Sequence, residues 1–219
     1  MSCGIKHLFI WDSEGVVPPG IPSVVDLDII PHPRNIVPKI LDGYRFAQIK
    51  FVALLLETAK RMDGNENLTH LILADSDETI NFSVLKPLLQ RYMPDGLLLG
   101  GDLVDQVIEG GYINGPHFYT RDLVFAIRAY LEAYVGSFPN AFFYLNNPHS
   151  NVDVALSSLA RSLGATLVHI PGVHSLSAYC SLPLGYLKWP LVATHAHVDE
   201  FGVTKHEDVL HFMLEGGGN

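Results

Sequence analysis

Six short stretches of this chain place side chains able to do chemistry directly after apolar runs. They are "WDSEG" (11–15), "ADSDET" (74–79), "GDLVD" (101–105), "NNPHS" (146–150), "HIPGVH" (169–174) and "THAHVDE" (194–200). A serine such as Ser13 becomes a nucleophile at neutral pH only with a base in hydrogen-bond reach. His195 and His197, two apart, share a face if their segment is extended, so either is placed to be that base. The same oxygen and imidazole groups suit divalent metals. Asp75, Asp77, Glu78, Asp102 and Asp105 gathered together would repel one another without cations. Both chemistries stay open on residue type, and turns or helix caps use Asp and Asn for purely structural reasons.

The elements that must position these groups show in the hydrophobic pattern. "HLFIW" (7–11), "HLILA" (70–74), "GLLLG" (96–100), "AFFYL" (141–145), "TLVHI" (166–170) and "LVAT" (191–194) are continuous apolar runs. Strands buried on both faces have that character. Between them lie helical patterns at 45–62, 83–93, 121–135, 152–164 and 205–215. In 121–135, Leu123, Ile127, Tyr130 and Tyr134 share one stripe, and Gly164 suits a left-handed helix stop. Pro87 either kinks its helix or belongs to the first turn. Strand and helix in alternation predict a single α/β domain over 1–219, a three-layer α/β/α sandwich with a mainly parallel sheet of five or six strands. Ligands in such folds bind at the carboxyl ends of the strands, where all six polar stretches would gather. Segment 16–43, with six prolines, is expected as a long loop over that edge, and 216–219 as a flexible tail. His32, His117 and His149 are expected in loops above the site, and His169 and His174 in structural roles.

Bulk properties narrow the partners. The chain has 219 residues, 48% of them hydrophobic, and a formal net charge of −9. A large acidic excess argues against a nucleic-acid backbone as partner, since that affinity rests on lysine and arginine. Two distant cysteines, Cys3 and Cys180, form no disulfide framework or zinc spacing. Neither a secretory leader nor an apolar run long enough to span a bilayer is visible, so an intracellular, cytoplasmic location is expected. The oligomeric state is open.

The layout resembles the SGNH (GDSL-type) hydrolases. "FIWDSEG" is similar to their first block, with Trp11 in place of the glycine. "PDGLLLGGDLVD" resembles their strand and Gly-x-Asn-Asp turn, with Asp102 where asparagine is usual. "VDEFGVTKHEDVLHFML" is similar to the last block, with Asp199 matched and Gly202 where the histidine should be. The resemblance implies hydrolysis of a small-molecule or acyl ester without a cofactor. Ser13 would be the nucleophile, His197 or His195 the base, and Asp199 the group that orients it. Asp12, Asp77, Gly101, Asp102 and Asn147 would line the oxyanion and substrate side. A second resemblance, to calcineurin-like metallophosphoesterases, rests on "GDLVD" and "THAH". It implies two divalent ions (manganese, iron or zinc) held by Asp75, Asp77, Asp102, Asn147, His195 and His197. The altered motifs also fit a third outcome, an inactive hydrolase fold kept for binding or assembly.

Overall fold

The computed structural model describes residues 9–10, 24–25, 43–74, 78–105, 110–133, 152–175 and 193–195. The chain is an α/β protein built on a four-stranded mixed sheet. Its strands are β3 (His70–Leu73), β5 (Leu98–Val104), β6 (Tyr112–Thr120) and β7 (Thr166–His169), in the order β3-β6-β5-β7. β6 is antiparallel to both neighbours, whereas β5 and β7 are parallel. β3, β5 and β7 therefore run in one direction, with β6 reversed between two of them. The expected sheet of five or six mainly parallel strands departs from this at β6. The expected strand 141–145 and helix 205–215 lie outside the described residues.

Two further sheets are short. β1 (Phe9–Ile10) pairs in parallel with β2 (Val24–Val25), which falls in the proline-rich segment expected as loop. β4 (Glu78–Ile80), β9 (Ala193–His195) and β8 (Val173–Ser175) form a three-stranded sheet in that order.

Helices cover both faces of the main sheet. α1 (Gly43–Asp63), α3 (Arg121–Ala133) and α4 (Val152–Ser162) pack on one face, and α2 (Phe82–Tyr92) on the other. Their sequences dictate this. Phe51, Leu55, Ala59 and Met62 recur at helical spacing on α1, as do Leu123, Ile127 and Leu131 on α3 and Val152, Leu156 and Leu159 on α4. The strands alternate to match. Leu71, Leu73, Leu99 and Tyr119 join the first core, while Ile72, Leu98 and Phe118 meet Leu85, Leu89 and Met93 in the second. Each fully buried leucine among them contributes roughly 1.5–3 kcal/mol. Lys60 and Arg61 in the last turn of α1 suit its negative end. Past that end, Arg121 donates to the carbonyls of Met62, Asn65 and Leu68, which ties the start of α3 to the turn leading into β3. Gly164, at φ +83°, takes the left-handed stop expected after α4. Pro87 lies inside α2, one turn further in than an N-terminal proline would.

Candidate functional site

The polar groups cluster where β5 and β7 end and β6 begins. Between Gly100 and Asp102 the β5–β6 register shifts: Gly100 pairs with Phe118, and Asp102 with Asn114. Three residues of β6, Gly115 to His117, thus face the single Gly101, which is a bulge. Pro116 is tolerated in a central strand because it falls in that bulge, beyond the last β3 pair at His117, so neither ladder calls on its missing N–H. The distortion aims the two strand ends differently from a regular ladder.

At this edge His117 is 2% exposed. Its Nε2 lies 3.1 Å from the Ile113 carbonyl and 3.4 Å from Asp153 Oδ1. Asp153 stands in the first turn of α4, where the helix's positive end favours a carboxylate. Expected in a loop, His117 is instead a buried strand residue. Beside it Asp102 Oδ1 lies 3.9 Å from His169 Nδ1, and His169 is 48% exposed, at the surface rather than in the core. Burial, then the charges of Asp153 and Asp102, push the Tyr112 phenol up from its ordinary value. Ser157, fully buried on α4, accepts the Ile113 N–H at 2.9 Å and so anchors α4 to β6.

Tyr119 is the energetic anomaly of the cluster. Its ring is wholly buried, 6.2 Å from that of His117, and its hydroxyl has no hydrogen-bond partner among the described residues. An unmet buried hydroxyl costs about 1–3 kcal/mol. Tyr119→Phe is therefore expected to stabilise the fold by about that amount in urea unfolding at pH 7. Burial, with Asp153 second, also raises the phenol well above 10.0. The folded state then holds this proton more tightly than the unfolded chain. Its contribution is complete below pH 10 and lost as pH rises beyond it, so the wild type should lose stability above pH 10 more steeply than Tyr119→Phe. Equal alkaline slopes for the two would contradict this assignment.

The small sheet brings in the remaining groups. Glu78 of β4 is in register with His195 of β9, and His195 is in register with Ser175 of β8. Glu78 is half-buried, and its carboxylate occupies the space over Gly115 of β6, where a β-carbon would stand 2.6 Å from Oε1. The same hypothetical atom would stand 3.8 Å from His117 Nδ1, so Glu78 and His117 flank one backbone position.

Of the residues assigned site roles in the sequence, Gly101, Asp102 and His195 are described, as are Glu78 and Asp105 of the acidic group. Gly101 and Asp102 lie together at the β5 bulge, and His195 ends β9. Asp12, Ser13, Asp75, Asp77, Asn147, His197 and Asp199 lie outside the described residues. Asp153, Tyr119 and Ser175 emerge only from the fold. Among the described residues no group of three or more His, Cys, Asp or Glu side chains is placed to hold a metal ion. Nor is any described helix long and apolar enough to cross a membrane. In comparison with known proteins, no family model and no curated sequence matches the chain.

Proposed function

We propose that this protein hydrolyses carboxylic esters through a serine nucleophile, with His195 as the general base. The observation that carries the reading is the pairing of His195 with Glu78 across the small sheet. In a hydrolytic triad a carboxylate paired with a histidine orients the ring and stabilises its charged form while the ring accepts and returns the proton. Three of the four strands of the main sheet run in one direction, which supports an α/β hydrolase reading.

The reading is tested with p-nitrophenyl acetate and the full chain. Turnover is expected, with progressive loss on exposure to a fluorophosphonate and no change on adding EDTA. Absence of turnover would contradict ester hydrolysis. Loss on EDTA, with recovery on adding manganese, would favour metal-dependent phosphoester chemistry.

A further inference from the structure

We infer that Ser175 is the nucleophile of this site and that Glu78 is the residue positioning its base. The inference rests on the ester-hydrolase reading and deepens it by assigning the groups on both sides of His195.

The backbone register carries it. β4 runs antiparallel to β9 and pairs Glu78 with His195; β8 runs parallel to β9 and pairs Ser175 with His195. Pleating gives every strand a period of two, so positions in register share one face of a sheet. Glu78, His195 and Ser175 thus form one row across three strands with the histidine at its centre. Adjacent strands stand about 4.8 Å apart, so the outer positions are separated by roughly 9.6 Å. Register thus places a carboxylate-bearing, an imidazole-bearing and a hydroxyl-bearing position side by side on one face of the sheet.

The order carboxylate, histidine, serine is the order of a triad's hydrogen bonds, in which the ring carries the proton and the carboxylate orients it. Register matters because a slip of one residue would put Thr79 and His174 beside His195 instead, and neither completes a triad.

Ser175 and His195 stand at the carboxyl ends of β8 (Val173–Ser175) and β9 (Ala193–His195), and Glu78 at the start of β4 (Glu78–Ile80). Gly115 contributes by absence: with no side chain there, the Glu78 carboxylate has room over the β6 backbone.

The chemistry balances with water alone as co-reactant. Ser175 Oγ bonds to the ester carbonyl carbon while His195 takes the hydroxyl proton. Collapse of the tetrahedral adduct breaks the carbon–oxygen bond to the alcohol, and His195 returns the proton to that leaving oxygen. Water, deprotonated by the same ring, then attacks the acyl-serine. A carboxylic acid departs and Ser175 is restored.

Kinetics of variants of the full chain decide the matter, with p-nitrophenyl acetate as probe. Ser175→Ala is expected to lower kcat by about a thousandfold or more. Ser175→Gly removes the same hydroxyl and must give the same loss, which keeps the test valid if the alanine variant fails to fold. Glu78→Gln is expected to lower kcat by about ten- to a hundredfold. It should also move the acid limb of the kcat/KM profile to lower pH, because a neutral neighbour no longer stabilises the imidazolium; a residue that only supported the fold would leave that limb in place. Loss in Ser13→Ala with Ser175→Ala and Ser175→Gly active would overturn the assignment of Ser175 and leave ester hydrolysis by serine standing. An unmoved acid limb in Glu78→Gln would overturn the positioning role. A wild-type chain without turnover would overturn the underlying reading itself.

Discussion

Alanine in place of His195 is expected to lower kcat for p-nitrophenyl acetate by about a hundred- to ten-thousand-fold, with KM within about threefold of wild type. The effect is large because the serine hydroxyl is a poor nucleophile until a base removes its proton in the transition state. The split between kcat and KM follows because proton transfer, not ground-state binding, is lost. Two further readouts separate a base from a structural histidine. Wild-type kcat/KM should fall on the acid side as the imidazole takes up a proton, and that limb should vanish in the variant. Added imidazole should restore part of the rate. His197→Ala should stay within about tenfold of wild type, since the β9 ladder sets His195 in register with Glu78 and Ser175. A reversed order of the two histidine variants would contradict the base assignment.

Gly101→Ala is expected to cost about 2–6 kcal/mol of stability, and Gly100→Ala about 1–3 kcal/mol. The glycines are adjacent, but their surroundings differ in kind. A β-carbon at 101 would stand 2.7 Å from the carbonyl oxygen of Pro116 and would also strike the side chain of Ile113. The oxygen belongs to backbone in the bulge and has little room to yield. Gly101 has φ +153°, so a side chain adds conformational strain to the collision. At Gly100 the obstacles are the ends of the Met93 and Ile170 side chains, with the Ile170 methyl 2.8 Å away. Flexible ends can shift, so the cost there is that of overpacking alone. Urea unfolding of both variants measures the difference. Equal costs at the two sites, or a neutral Gly101→Ala, would mean that the bulge is less constrained than its geometry implies. Packing and backbone alone thus give a reason for glycine at 101.

The helices were legible in the sequence because each carries an unbroken apolar stripe. α1, α3 and α4 begin and end within a few residues of where periodicity places them. β3 and β7 were legible for a related reason, since each falls within a short continuous apolar run (70–74 and 166–170). β6 was hidden. Asn114, Gly115 and Pro116 interrupt "YINGPHFYT", and proline in a run argues against a central strand. Only the bulge opposite Gly101, a tertiary feature, makes that proline acceptable. The reversed direction of β6 then turned an expected parallel sheet into a mixed one. His117 was placed in a loop as part of the same reading.

The candidate site divides in a similar way. Gly101, Asp102 and His195 stood out because functional residue types directly followed apolar runs. Ser175 lies on a strand of three residues, too short for any periodicity to mark it, and Glu78 stands out only as one of an acidic group. Their relation to His195 is a matter of register, which forms between segments about 20 and 117 positions away from it in the chain. Asp153 was read simply as part of an amphipathic helix, which it also is. Nothing in its own segment announces a buried histidine on β6 as its neighbour.

Mapping the site of a fluorophosphonate adduct bears most directly on the central claim. The folded chain is treated with the probe, digested, and the modified peptide sequenced by mass spectrometry. The register of β4, β9 and β8 predicts phosphonylation of Ser175, lost in His195→Ala. An adduct on Ser13, or none under conditions that label a known serine hydrolase, would contradict it.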